Sequence, residues 1–240
     1  QKLINNFSQH NFGDNYIINQ DFLLLSLYVL QPPRRALDYQ NMYVNIVNIS
    51  CECDKIIWTN DESIKKYSGW KNKCECKDKI QMITQKNHYM ENGNTSFFIF
   101  DDYKTFPSFG RQIIEVNIEL NEIIKRYITL FGLKLGDKLI NLEYNNYFKR
   151  LAEIFQLFVG KNISVDMIRH IYISDVVLKS KINDETRKLY AKLMAHSDGM
   201  QRIYRKEITF DDNNINLDIN RYLEKRKFTE YNPDIAKLHE

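Results

Sequence analysis

Apolar side chains gather most densely between Phe22 and Leu30, in "FLLLSLYVL". The stretch 21–31 predicts a buried helix that begins near Asp21 and stops at Pro32-Pro33, because a residue ahead of proline is pushed out of the helical region. Next, "MYVNIVNI" (42–49) is rich in β-branched residues at alternate positions and predicts a strand. "SFFIF" (96–100) and "QIIEVNI" (112–118) predict two more. Between them "DDYKTFPSFGR" carries turn chemistry in Pro107 and Gly110, which makes a hairpin with a long, mobile loop. Residues 50–95 are polar, rich in Lys, Asn and Glu, and read as an insertion.

Helical periodicity takes over after the hairpin. Leu120, Ile123, Ile124, Tyr127, Ile128 and Phe131 fall on one face of a helix over 119–131. Tyr147, Phe148, Leu151, Ile154, Phe155 and Phe158 do the same over 144–158. "SVDMIRHIYISDVVLKS" predicts a helix capped by Ser164 and running to about Lys179. Further helices are expected over 184–194 and from a Ser197 cap to near Lys206. The order of elements predicts an α+β fold, mostly α, with a small antiparallel sheet at one edge. Residues 1–206 would form the main domain, interrupted by the insertion. Residues 207–240 would form a polar tail with a narrow apolar stripe of Ile215, Ile219, Tyr222 and Leu223.

Composition changes this picture little. Hydrophobic residues make up 43% and charged residues 27% of the 240, ordinary for a chain with a sizeable core. The apolar run at Phe22–Leu30 is too short to span a bilayer, so no membrane partner is expected. Net charge is only +3, but the basic excess lies in the second half. It is densest around "MAHSDGMQRIY" (194–204), which Arg187, Lys188, Lys192, Arg202, Arg205 and Lys206 surround while Asp198 is the only acid inside it. A solvated face would mix its signs more evenly, so this surface reads as one for phosphates.

Five residues stand out: Arg35, Lys104, Arg169, His196 and Tyr204. In chain order their surroundings are "PPRRALDY", "DDYKT", "DMIRHIYIS" and "LMAHS" followed by a tyrosine. This succession resembles the catalytic domain of the tyrosine recombinase (phage-type integrase) family, especially forms encoded by large DNA viruses and their satellites. "PPRRALDY" is similar to the family's Arg-x-x-Glu, "DMIRH" to its His-x-x-Arg-His, and "LMAHS" to its Leu-Gly-His-Ser. Arg34 competes with Arg35 for the first position. Arg35 is preferred because Asp38 then takes the family's carboxylate place.

The resemblance implies site-specific DNA recombination or integration by a DNA strand transferase. Tyr204 would attack the phosphodiester and form a covalent 3′-phosphotyrosine, so rejoining needs neither metal nor a high-energy cofactor. Arg35 and Arg169 would clamp the non-bridging oxygens with their planar guanidinium forks. Lys104, at the family's hairpin lysine position, would be the general acid for the leaving 5′-oxygen. His196 would hydrogen-bond the phosphate or help deprotonate Tyr204. Asp166 stands where the family usually has His or Lys. It either orients Arg169 one turn away or complements the helix N-terminus. The implied partners are double-stranded DNA and further copies of the chain, assembled as a tetramer on DNA through the 207–240 tail. The implied location is intracellular, wherever that DNA lies, in nucleus or cytoplasmic viral factory. Members usually carry a helical DNA-clamping domain ahead of the catalytic one; the stretch before Phe22 is too short to supply it, so the resemblance implies either an excised catalytic domain or a minimal protein. Two other readings share these residues: a type IB topoisomerase, and a non-catalytic DNA-binding protein that kept the fold.

Cys51, Cys53, Cys74 and Cys76 form two Cys-Glu-Cys triplets inside the insertion. Residues two apart on a strand face the same way, so two such strands could offer four thiolates to a structural zinc ion, though this spacing is tighter than the usual Cys-x₂₋₄-Cys. Free thiols and disulfides are the alternatives.

Overall fold

The computed structural model describes residue 13 and residues 15–46, 86–92, 95–134, 136–175 and 182–197. In chain order the elements are α1 (Tyr16–Val29), α2 (Ala36–Gln40), β1 (Met42–Ile46), β2 (Asn87–Asn92), β3 (Thr95–Phe100), α3 (Phe106–Phe109), β4 (Gln112–Glu115), α4 (Ile118–Leu130), α5 (Tyr144–Val159), α6 (Val165–Tyr172) and α7 (Asp184–Leu193). They fall into two compact units. One is helical and draws on residues 1–36, 117–132 and 142–240; the other holds the sheet, from 37–116 and 133–141.

In the helical unit, α1 packs against α4 and α5. It begins earlier than the apolar run suggests, because Asn15 caps it: the Asn15 side chain accepts from the Ile18 N–H at 3.0 Å. Asp21 is therefore not a cap. It is buried in mid-helix, where its carboxylate pairs with Arg150 of α5. Tyr28 and Tyr147 join hydroxyls at 3.1 Å across the same pair of helices. The predicted stripes of α4 and α5 are the buried faces: Leu120, Ile124, Tyr127 and Ile128 on one, Tyr147, Leu151, Ile154, Phe155 and Phe158 on the other. Gly160 closes α5 in the left-handed conformation, with φ 69°. Ser164 caps α6 as expected, accepting from the Met167 N–H at 3.2 Å. The regular helix ends at Tyr172 and passes into a π-type turn at 173–175; its expected extension to Lys179 lies outside the described residues.

The sheet unit corrects the expectation of an antiparallel sheet. Its order is β1-β2-β3-β4, and β1 runs parallel to β2, while β2–β3 and β3–β4 are antiparallel. The long 47–86 connection makes a parallel return possible, since parallel neighbours need a crossover of about a dozen residues or more. The strand that receives it, β2, sits at the end of what the polar composition marks as insertion. Beside β1 the chain returns once more: Val44 N–H donates to Asp137 O at 2.8 Å and Leu139 N–H to Met42 O at 2.9 Å. Tyr39, Tyr89, Phe98 and Phe100 form the buried aromatic core, Tyr39 meeting Phe98 edge-on at 5.8 Å and Phe100 at 6.0 Å. Such pairs contribute about 0.5–1.5 kcal/mol each beyond their burial. The hairpin β3–β4 forms as predicted, and β4 stops before 118 because Asn117 caps α4.

Candidate active site

The site in the helical unit is organised around the end of α7. Ala195 N–H donates to Lys192 O at 3.0 Å, and His196 N–H reaches back to Ala191 O at 2.8 Å. This is the Schellman pattern of helix closure, which needs a left-handed residue in its middle. Ala195 takes that conformation with φ 52°, the only non-glycine among the described residues at positive φ. A glycine would take this conformation without the Cβ penalty that Ala195 carries. The closure leaves the carbonyls of 193–195 pointing off the helix, and three arginines come to them. Arg34 Nη1 donates to Leu193 O at 2.9 Å, Arg169 Nη2 to Met194 O at 3.3 Å, and Arg35 Nη1 to Ala195 O at 3.4 Å.

Arg34 and Arg169 are each 1% exposed and His196 2%, whereas Arg35 is half-buried. Burying a cation is costly unless charge-assisted hydrogen bonds offset the lost hydration, and the carbonyl bonds of this turn do so. Arg169 Nη2 also touches His196 Nε2. A guanidinium can only donate, so Nε2 accepts and the neutral ring carries its proton on Nδ1. The imidazole is pushed down to about 3, first by burial and then by the positive charge of Arg169, Arg35, His170 and Arg34. His196 is therefore neutral at physiological pH, in a place where the field is strongly positive.

Asp166 is placed for both roles open to it: it lies in the first turn of α6 and pairs with Arg169 Nη1 at 3.5 Å, its own side chain 74% exposed. A carboxylate so exposed is well screened and contributes little to stability. Sequence reasoning chose Arg35 over Arg34; the fold brings both to the same turn, with Arg34 the more buried.

Lys104 lies in the sheet unit, exposed, in the turn between β3 and α3. The loop expected to be mobile is braced. Arg111 holds Asp101 through Nε and Nη2, both at 2.7 Å, and Tyr103 Oη donates to Gly110 O at 2.6 Å. Tyr204, the four cysteines and the 207–240 tail lie outside the described residues. Among the described residues no group of three or more His, Cys, Asp or Glu could hold a metal ion, and no helix is long and apolar enough to cross a membrane. No protein-family model matches the sequence, and neither a curated protein nor a solved structure matches it at a significant level.

Proposed function

We propose that the chain breaks and rejoins DNA by transesterification, as tyrosine recombinases do, with the turn after α7 as the phosphate-binding heart of the site. One observation carries this reading. Three segments far apart in sequence, "PPRR", "DMIRH" and "LMAHS", deliver Arg34, Arg35, Arg169 and His196 to one turn in the order and chemistry the resemblance implies. Guanidiniums gathered around a neutral imidazole concentrate positive charge at this turn, which suits an anionic phosphodiester. Arg35, the more exposed, would meet a non-bridging oxygen first, and Arg169 would share the developing charge. His196, entering as the Nδ1–H tautomer, would donate to phosphate rather than act as an acid near neutral pH. Tyr204 would attack, Lys104 would protonate the leaving 5′-oxygen, and neither step calls for a metal. Integration or resolution of DNA on a multimer of the chain is the activity this chemistry serves.

A second reading, a DNA-binding protein without catalysis, draws on one feature of the site. The guanidiniums of Arg34 and Arg169 already bond backbone carbonyls, and Asp166 pairs with Arg169, as befits a structural brace. A nicked suicide DNA substrate separates the two. The first reading expects a covalent protein–DNA adduct that vanishes in Tyr204→Phe and falls about 10²–10³-fold in Arg35→Ala. Salt-sensitive DNA binding with no adduct overturns it in favour of the second.

A further inference from the structure

The Asn87 side chain uses its whole hydrogen-bonding capacity on one turn and its neighbour. Its Oδ1 accepts from the N–H groups of Asp101 at 2.9 Å and Asp102 at 2.8 Å. Its Nδ2 donates to Asp102 O at 2.7 Å and to Asp38 O at 3.0 Å. Two donors face the oxygen and two carbonyls face the nitrogen, so only one orientation of the amide satisfies all four contacts. Asn87 is 0% exposed and opens the central strand β2, in register with Met42 of β1. The turn it grips is the exit of β3, which leads directly to Lys104. The other side of the loop is tied by the Arg111–Asp101 pair and by Tyr103 on Gly110.

We propose that Asn87 is a positioning residue for Lys104: it fixes the backbone at 101–102 so that the lysine is presented from one rigid turn. The proposal rests on the recombinase reading above. In the reacting step the Tyr204 oxygen forms a bond to phosphorus while the bond from phosphorus to the 5′-oxygen breaks. The electron pair goes to that oxygen, which takes a proton from the Lys104 ammonium; the phenol proton passes to water. A lysine on a loosened turn would still carry its proton but would spend less time where the oxygen leaves. General acid catalysis is worth about 10²–10⁴-fold, so losing part of the positioning removes part of that factor.

The test compares two DNA substrates, one with the natural 5′-oxygen and one with sulfur in its place at the scissile bond. A thiolate leaves without a proton, so it bypasses the general acid. In single-turnover cleavage at saturating DNA, Asn87→Ala is expected to slow the oxygen substrate tenfold or more while leaving the sulfur substrate within about threefold of the native rate, the pattern also expected of Lys104→Ala. Thermal melting shows whether the variant folds. If it does not, Asn87→Ser, which gives up fewer of these contacts, should show the same selective loss at smaller size, and Tyr103→Phe, which frees the other side of the loop, should show it too. Equal slowing of both substrates, or no slowing of either, by folded variants overturns the positioning role and leaves the recombinase reading standing. A native protein that forms no adduct on either substrate overturns both.

Discussion

Arg169 and His196 stand 27 residues apart in sequence and meet through Nη2 and Nε2, both side chains buried. The pairing puts a permanent cation against an imidazole that must remain neutral to accept from it. It also makes the acid–base state of His196 part of the stability of the fold. In the unfolded chain the ring binds a proton near 6.5, and in the folded chain it does so only near 3. Between those values the unfolded state holds more protons, so stability rises with pH. The contribution is fully present above about pH 6.5 and is lost as pH falls toward 3.

Urea unfolding between pH 7 and pH 4 is therefore expected to show stability declining by up to about 1.4 kcal/mol per pH unit from this group. His196→Gln keeps an acceptor but does not titrate, and should flatten that part of the profile. Arg169→Gln removes the second-largest cause of the shift, so the His196 value should rise in NMR titration. It should still fall short of 6.5, because burial is the larger cause. An unchanged profile in His196→Gln would show that the imidazole does not titrate differently in the two states.

The left-handed Ala195 sets opposing expectations for two small changes. Glycine relieves a penalty of about 1–2 kcal/mol. It gives back about 0.4–1 kcal/mol in unfolded-state entropy and about 0.8 kcal/mol for the lost buried methyl. Ala195→Gly should therefore stay within about 1 kcal/mol of the native protein. Ala195→Val adds a β-branched side chain at positive φ in a fully buried position. It should cost more than about 2 kcal/mol, read as a lower denaturation midpoint with an unchanged slope.

Much of the helical unit was legible in the sequence, because its signals are local. The caps at Ser164 and the stripes of α4 and α5 depend on residues three or four apart, and those appear in the structure where periodicity puts them. Asp21 misled because an acid before an apolar run usually caps a helix, whereas here Arg150, far along the chain, makes its burial tolerable. Strand β2 was invisible for a related reason: "NHYMEN" looks like solvated loop, and only its neighbours on either side bury Asn87 and His88. The parallel pairing of β1 with β2 is likewise a non-local fact. Arg35, Arg169 and His196 stand out in the sequence by residue type, and the fold brings the three to one turn. That Arg34 shares their turn was not legible, since adjacent arginines differ only in how the fold rotates them.

Asp21 and Arg150 make a stability prediction independent of any activity. The carboxylate is 0% exposed and the guanidinium 17%, with Glu153 a further 3.8 Å partner. Removing the arginine strands a buried charge, while removing the acid leaves a cation that can reach water and Glu153. Arg150→Met should therefore cost about 3–5 kcal/mol and Asp21→Asn clearly less. Equal losses in denaturant unfolding would mean that both ends of the pair are equally desolvated.

Two glycines at positive φ allow a sharper comparison, because a Cβ at either would meet open space and only the backbone would respond. Gly160 has φ 69° and ψ 12°, the left-handed helical region, where asparagine is tolerated better than alanine. Gly110 has φ 63° and ψ −162°, a region essentially reserved for glycine. At position 160, Asn should recover much of the roughly 1 kcal/mol that Ala loses. At position 110, Ala, Ser and Asn should all lose about 1–3 kcal/mol, with no rescue by Asn, since its side chain relieves nothing at that ψ. The Gly110 variants should also loosen the Tyr103–Gly110 closure of the Lys104 loop, seen as faster amide exchange across 103–110. Rescue by Asn at 110 would show that the loop relaxes toward the ordinary left-handed conformation and is less rigidly held than its hydrogen bonds imply.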